Sequence, residues 1–256
     1  MSRVSSHRIP VAVAYIALLG AAALTAGCTA LQRRDVETER VLVHVVEPGE
    51  TVERLADDYY GDARREREIR RFNDLDREEP IEAGTQLRIP VTPADLETLQ
   101  RRRAARVPYN EGRDLAQKGS FLDASTRFRE AVELDPRFAE AYFNLGVTYQ
   151  RIKAWERSLE ELEAAIKLRP ENPDYRFALG STLFYMESYD RAVPEFRKAL
   201  DLDPFHAKAR FSLAVSYEKA GRVADAKREW RRYLEVDDES EWADQAREHL
   251  EKLDSR

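Results

Sequence analysis

The only cysteine of the chain, Cys28, lies at the boundary between an apolar and a charged stretch. A single thiol excludes an intramolecular disulfide, and a cysteine-based zinc site would need further thiolates. The cysteine follows an uncharged run from Ile9 to Ala26, which Arg3 and Arg8 precede and small residues end. This pattern predicts a targeting segment that a peptidase cleaves, and a permanent membrane helix is the alternative for a run of this length.

The five residues that end at Cys28 resemble the lipobox of bacterial lipoproteins, in which two small residues directly precede the cysteine. Thr25 stands where that motif more often has Leu, and Leu24 lies one position earlier. The resemblance implies that residues 1–27 are a cleaved signal peptide and that Cys28 carries acyl chains on its sulfur and amine. Each buried CH₂ contributes about 0.8 kcal/mol, so two or three chains hold a protein firmly to a membrane. Because Thr29 and not Asp follows, the resemblance implies an outer-membrane lipoprotein that faces the periplasm, if the source has two membranes.

The side chains that could form a catalytic centre are scattered. The four histidines have no cysteine nearby and no metal-ligand spacing, and the phosphate-binding patterns GxxxxGK[ST] and GxGxxG are missing. A formal net charge of −6 with 35% charged residues argues against nucleic acid as the main partner. We therefore expect a protein that is not an enzyme and that has no cofactor and no bound metal.

The residues after a polar tether have the pattern of a small α+β unit. Val41 to Val46 form a β-branched run that predicts a strand, and "PGE" ends it. A helix follows, with Thr51 as its N-cap, Val52, Leu55, Ala56 and Tyr59 on one face, and Gly61 at its end. The spacing predicts a second helix within 63–73, a turn at Gly84, and a strand over Leu87 and Ile89 that Pro90 stops.

Residues 43–90 of this unit resemble a LysM domain. The matching residues are, in order, Val45, Pro48, Gly49, Glu50, Thr51, Val52, Leu55, Ala56, Tyr60, Gly61, Asp62, Ile69, Asn73, Ile81, Gly84, Leu87, Ile89 and Pro90. The resemblance implies binding to polymers that contain N-acetylglucosamine, chiefly peptidoglycan. The glycan-binding residues that it implies are Gly49, Glu50, Thr51 and Val52 in one loop and Pro80, Ile81, Glu82 and Ala83 in the other. Asn73 and Gly84 fit a purely structural role in caps and turns.

The rest of the chain repeats with a period of 34 residues. Prolines recur at 136, 170 and 204, small residues at 112, 146, 180 and 214, and bulky residues at 128, 162, 196 and 230. This period with these small and large sites resembles the tetratricopeptide repeat (TPR), in which each repeat is a pair of antiparallel helices that stack into a solenoid. We predict four repeats that start near Ala105, Ala139, Pro173 and Ala207.

Helices without the repeat pattern flank this array. A connecting helix is predicted to start at Thr92-Pro93, and its arginines at 101–103 form either a solvated face or a phosphate or lipid contact. A capping helix is predicted over 239–253, with Trp242, Ala246, Leu250 and Leu253 facing inward. We expect Pro194 to lie in the first turn of its helix, where a missing N–H costs little.

The fold class is therefore mostly α, a TPR solenoid that follows a small βααβ domain and a cleaved signal segment. The predicted parts are a signal peptide (1–27), a lipidated tether (28–40), the LysM domain (41–91), the connecting helix (92–104), four repeats (105–238) and a capping helix with a tail (239–256).

The resemblance places a peptide-binding groove on the first helix of each repeat. The groove residues that it implies are Tyr109, Arg113, Phe143, Asn144, Val147, Arg151, Phe177, Ser181, Phe184, Tyr185, Phe211, Val215 and Lys219. One position is aromatic in all four repeats, and such a stripe forms either helix packing or a surface for an apolar or extended peptide. The pattern does not match the Lys and Asn clamp with which some relatives hold C-terminal carboxylates.

Together these features predict a non-catalytic envelope scaffold. Acyl chains on Cys28 anchor it to the membrane, LysM binds peptidoglycan, and the TPR groove recruits an unidentified protein. One alternative is an assembly factor for a pilus or secretion complex in which LysM is auxiliary. A more remote alternative is an accessory to a cell-wall hydrolase.

The anchor prediction is tested by mass spectrometry of the mature N-terminus. We expect a chain that begins at Cys28 and carries the mass of two or three acyl chains, and Cys28→Ser should abolish the modification. An intact chain with an unmodified Cys28 would show that the apolar run is a permanent membrane helix.

Overall fold

The computed structural model describes residues 40–76 and 79–255, which form two compact units divided after Arg101. The predicted signal peptide, Cys28 and the tether up to residue 39 lie outside the described residues. Within the described ranges, none of the helices combines the length and the apolarity that a membrane span requires.

The first unit pairs two strands and packs two helices against them. Its elements are β1 (Arg40–Val45), α1 (Val52–Tyr60), a single 3₁₀ turn (Ala63–Arg65), α2 (Glu66–Phe72) and β2 (Gln86–Val91). The strands are antiparallel, with Arg40 opposite Val91 and Val45 opposite Gln86. One core is formed by Val46, Val52, Leu55, Ala56, Tyr60, Ile69, Leu87, Ile89 and Val91. The fold is therefore the predicted strand–helix–helix–strand arrangement.

Both ends of α1 have the predicted caps. The Thr51 hydroxyl accepts a hydrogen bond from the Arg54 N–H, and Gly61 adopts the left-handed conformation with φ 72°. Tyr59 packs partly on the core, as predicted, and Tyr60 is buried in it, with its hydroxyl donating to the Pro90 carbonyl over 2.8 Å. The inward face of α1 is therefore the predicted one, with Tyr60 added at its C-terminal end.

Strand β2 continues past Pro90, which the sequence pattern had predicted to be its stop. Pro90 lies opposite Val41, and Val91 extends the strand by one buried residue. A sheet of two strands has only edge strands, where a residue without an N–H is tolerated.

The start of α3 (Pro93–Gln117) is fixed by a buried carboxylate. Asp95 accepts hydrogen bonds from the Thr92 N–H and hydroxyl, and its Oδ1 lies 2.6 Å from Arg65 Nη1. Burial by itself would raise the pKa of Asp95, but the hydrogen bonds from Arg65 and Thr92 outweigh it and hold that pKa below its usual value. Helix α3 covers both the predicted connecting helix and the first helix of the first predicted repeat.

The second unit consists of helices whose starts follow the 34-residue period. After α3 the helices are α4 (Phe121–Leu134), α5 (Ala139–Arg151), α6 (Trp155–Leu168), α7 (Pro173–Tyr185), α8 (Tyr189–Leu202), α9 (Ala207–Lys219), α10 (Val223–Val236) and α11 (Glu241–Asp254). Consecutive helices form the principal contacts, as in a solenoid of helix pairs.

The period arises from a close approach of two helices in each repeat. A Cβ atom at Gly112 or at Gly180 would lie 2.8 Å from the ring of Phe128 or Phe196, respectively. At Gly146 it would lie 2.7 Å from Leu162 Cγ. The fourth repeat has Ala214 and Trp230 at these positions, and both are fully buried. The small and large sites of the sequence therefore face each other across the helix pair.

Two expectations about the last helices are wrong. Helix α8 begins at Tyr189, so Pro194 is its sixth residue and lies in the second turn, not in the first. Proline has no N–H to donate to the Asp190 carbonyl, and both residues are exposed. Trp242 is 55% exposed, because Ala243, Ala246 and Leu253 form the inward face of α11.

The close helix approach predicts that Gly180→Ala destabilises the second unit. The new methyl group would overlap the fully buried Phe196 ring, which typically costs 1–3 kcal/mol, against a helix-propensity gain of about 1 kcal/mol. The difference leaves an expected net loss of about 1 kcal/mol, and at most about 2 kcal/mol, in urea denaturation.

The matched control is Arg197→Ala on an exposed site of α8, which should change stability by less than about 0.5 kcal/mol. Equal stability of Gly180→Ala and the wild type would contradict the steric explanation.

Candidate functional site

The first predicted glycan loop is a tight turn. The Glu50 N–H donates to the Glu47 carbonyl over 3.1 Å, and Pro48 and Gly49 occupy the two central positions. Gly49 has φ 83°, which suits the third position of a type II turn. The turn is exposed at Glu47, Pro48 and Gly49, so its backbone is accessible to a ligand.

Glu50 acts within this loop and does not extend into solvent. Its Oε2 accepts from the Glu47 N–H and lies 2.7 Å from His44 Nε2, and His44 Nδ1 lies 3.1 Å from the Tyr59 hydroxyl. The His44 and Glu50 side chains are only 18% and 13% exposed. The carboxylate that the sequence suggested as a glycan contact is therefore committed to holding the turn against β1 and α1.

The other residues predicted for this loop have different environments. Val52 is fully buried in the core, so only its backbone could contact a ligand. Thr51 is exposed, although its hydroxyl caps α1. Sequence reasoning missed His44, which it treated as an isolated histidine. The available signal was an ionisable residue inside an otherwise aliphatic strand, six positions before a carboxylate.

The second predicted loop lies directly beside the first. The Gly84 N–H donates to the Val46 carbonyl over 2.8 Å, and the Val46 N–H donates to the Thr85 carbonyl over 2.9 Å. Pro80, Glu82 and Ala83 are exposed, whereas Ile81 packs partly on the core. The structure thus brings the two predicted loops together at one end of the sheet.

Asn73 has a structural role in this unit. Its side chain donates to the Ile69 and Arg88 carbonyls and accepts from the Arg88 N–H over 2.7 Å. The two bonds with Arg88 join the end of α2 to β2, and the bond to Ile69 caps α2 itself, as expected for a capping residue and not for a ligand contact.

In the second unit, the four aromatic residues that recur at the repeat spacing lie between helices. Ring centroids are 4.6 Å apart for Tyr109 and Phe138, 4.8 Å for Phe143 and Tyr175, 5.0 Å for Phe177 and His206, and 4.8 Å for Phe211 and Trp230. All four rings are half-buried and pack on the core. Of the two interpretations that the sequence left open, this geometry favours helix packing.

A pocket of about 330 Å³ opens between α3, α4 and α5. Four of the predicted groove residues meet there, namely Arg113, Asn144, Val147 and Arg151. The remaining lining residues, which sequence reasoning did not include, are Ala116, Gln117, Phe121, Phe128 and Thr148. Phe121 and Phe128 belong to the second helix of the repeat, which the sequence reasoning had left outside the groove.

The predicted groove residues of the third repeat form an aromatic cluster. Tyr185 is 62% exposed and stacks on Trp155 with 5.5 Å between centroids. Phe184 contacts Tyr185 and Tyr189 edge to face. Ser181 bonds the Phe177 carbonyl of its own helix. In the fourth repeat Val215 packs partly on the core, and Lys219 is exposed.

Metal ligation has no support in the described ranges. No group of three or more His, Cys, Asp or Glu residues there could hold a metal ion. The two candidate sites are an exposed loop pair in the first unit and a pocketed helical surface in the second.

Family comparisons agree with both units. The LysM domain model matches residues 44–90, and three tetratricopeptide repeat models match residues 112–153, 139–172 and 177–235. The fold defines a repeat protein with an added α+β domain. The chain contains a LysM domain and tetratricopeptide repeats, and both of these domain types are non-catalytic binding domains.

Solved structures of helical repeat proteins share the fold of the array. A crystal structure titled MamA protein has 20% identity and a TM-score of 0.53, and the match covers 59% of this chain and 86% of that chain. A Pseudomonas aeruginosa structure titled for the functional characterization of pilF has 21% identity and a TM-score of 0.53, covering 60% of this chain and 69% of that chain. No curated protein matches the sequence. At these identities the structural matches show the fold alone.

The network around Glu50 predicts that His44→Ala loosens the first glycan loop. Without the imidazole, the Glu50 carboxylate turns to solvent and the Glu47 N–H loses its acceptor, which typically costs about 1–1.5 kcal/mol. We expect about tenfold faster hydrogen exchange at the Glu47 amide, measured by NMR.

Arg67→Gln, on an exposed site of α2 in the same unit, is the control and should leave that rate unchanged. Unaltered exchange at Glu47 in His44→Ala would show that the turn is held by its backbone alone.

Proposed function

We propose that this protein is a lipid-anchored scaffold of the bacterial cell envelope. Acyl chains on Cys28 hold it to the outer membrane on the periplasmic side, the LysM loops bind peptidoglycan, and the repeat array holds a protein partner. The protein itself carries out no reaction in this proposal. Its effect is to place a protein complex at the cell wall.

The observation that carries the proposal is the presence in one chain of two different binding surfaces. The loops at 47–50 and 80–84 expose backbone beside each other, and backbone hydrogen bonds of Val46, which precedes the first loop, to Gly84 and Thr85 hold the two together. Backbone groups on a fixed turn suit the acetamido groups of N-acetylglucosamine, which carry one donor and one acceptor each. The pocketed surface of the second unit supports binding of a protein segment.

The glycan function is tested by sedimentation of the purified full chain with peptidoglycan. Ala83→Trp places a bulky ring on the exposed second loop and should block the adjacent first loop, lowering the affinity at least tenfold. Arg67→Trp adds the same ring on exposed α2 and should sediment like the wild type.

Absence of wild-type sedimentation above an unrelated protein would refute glycan binding. Deletion of residues 43–90 in cells then tests whether the protein needs its LysM domain or functions through the repeats alone. Loss of wall localisation and of function supports the scaffold, whereas near-normal function supports an assembly factor in which the repeats act alone.

A further inference from the structure

The pocket between α3, α4 and α5 has a cationic rim although the chain as a whole is acidic. Arg113 and Arg151 are both exposed at its edge, and none of its nine lining residues is Asp or Glu. The formal net charge of the chain is −6. A local concentration of positive charge on an acidic protein selects ligands by their charge.

Each of the two guanidinium groups lies near an aromatic ring. The Arg151 guanidinium lies 4.9 Å from the centroid of Phe121, and that of Arg113 lies 5.9 Å from the centroid of Tyr109. A cation–π contact requires no hydrogen bond from the guanidinium, so its N–H donors stay available to a ligand. In residues 40–76 and 79–255, no carboxylate pairs with either arginine.

The floor of the pocket is apolar. Phe128 is fully buried beneath it, and Ala116 and Val147 are half-buried at its side. The Asn144 amide donates to the Tyr109 hydroxyl over 3.0 Å, which fixes its orientation in the pocket. A ligand that fills this space therefore needs an apolar group beside its negative charge. A free phosphate offers no such group.

The arginine pair occurs at one place in the array. The positions that correspond to Arg113 in the following repeats are Val147, Ser181 and Val215. Those that correspond to Arg151 are Tyr185 and Lys219. Tyr185 stacks on Trp155 as Arg151 lies on Phe121, so the equivalent site of the next repeat is aromatic and uncharged. The positive site is therefore local to the first two repeats.

We propose that this pocket binds an acidic segment of the protein partner. A side-chain carboxylate lies between Arg113 and Arg151, and an aliphatic neighbour packs on the floor of Ala116, Phe128 and Val147. This inference rests on the proposed partner binding and adds the chemistry by which the partner is recognised. It also sets the register, with the acidic residues at the first two repeats and apolar residues toward Tyr185.

The test uses the full chain and a fluorescein-labelled peptide of alternating Leu and Glu, measured by fluorescence anisotropy. A peptide with Gln in place of every Glu is the matched probe. We expect the Glu peptide to bind at least tenfold more tightly at low salt, and the difference to shrink as salt screens the charges. In the double variant Arg113→Gln/Arg151→Gln the two peptides should bind alike.

The control is Arg191→Gln/Arg197→Gln, which removes two exposed arginines of α8 and should keep the preference for Glu. Equal binding of both peptides to the wild type, no binding of either, or a preference that survives the Arg113/Arg151 double variant would overturn the inference. Competition by inorganic phosphate at concentrations similar to the Glu peptide would overturn it too, because the floor would then add nothing.

A second measurement separates this inference from the proposed function. Crosslinked partner capture from the native envelope is compared between the wild type and the Arg113→Gln/Arg151→Gln variant. Capture that is lost in the variant supports the acidic segment. Capture that is retained leaves the scaffold proposal standing and refutes the pocket, whereas no capture by the wild type refutes both.

Discussion

The helical part of this protein depends on one steric constraint, the close approach of two helices at a position without a side chain. A glycine on the first helix of each of the first three repeats lets the ring or branched side chain of the second helix contact its backbone, as in Gly180 and Phe196. Because this contact fixes the distance between helices, it also fixes where the next pair can stack. The shape of the pocket at Arg113 and Arg151 therefore depends on that spacing.

The first unit is stabilised differently, because a two-stranded sheet and two short helices form only a small core. Its loops are therefore held by hydrogen bonds as well as by burial. Gly84 and Val46 bind through their backbones, Glu50 ties its own turn to His44, and Asn73 joins α2 to β2. The result is a pair of exposed loops whose backbones are positioned before any ligand arrives, which lowers the entropy cost of binding.

These two modes of construction suit a scaffold. The first unit exposes backbone groups on two adjacent loops, which suits the repetitive polymer proposed as its ligand, where many weak and identical contacts are useful. The second unit presents side chains of differing charge and aromaticity along its helices, so that one partner segment can be distinguished from another. The surface is positively charged at the arginines of the first two repeats and aromatic at Tyr185 and Trp155, so its two ends differ in chemistry.

Periodicity and capping residues let the sequence alone determine both domain types, the 34-residue helix starts, and the ends of α1, because those signals are local in the chain. Side-chain roles that depend on contacts between distant residues could not be read in this way. The sequence predicted Glu50 as a ligand contact, but in the structure its carboxylate pairs with His44. It predicted Trp242 as a core residue, but smaller residues of α11 form the inward face. Likewise, the pocket joins residues of three helices, from Arg113 to Arg151. Only the tertiary structure decides such roles, because the distance between two side chains is set by helix packing and not by their separation along the chain.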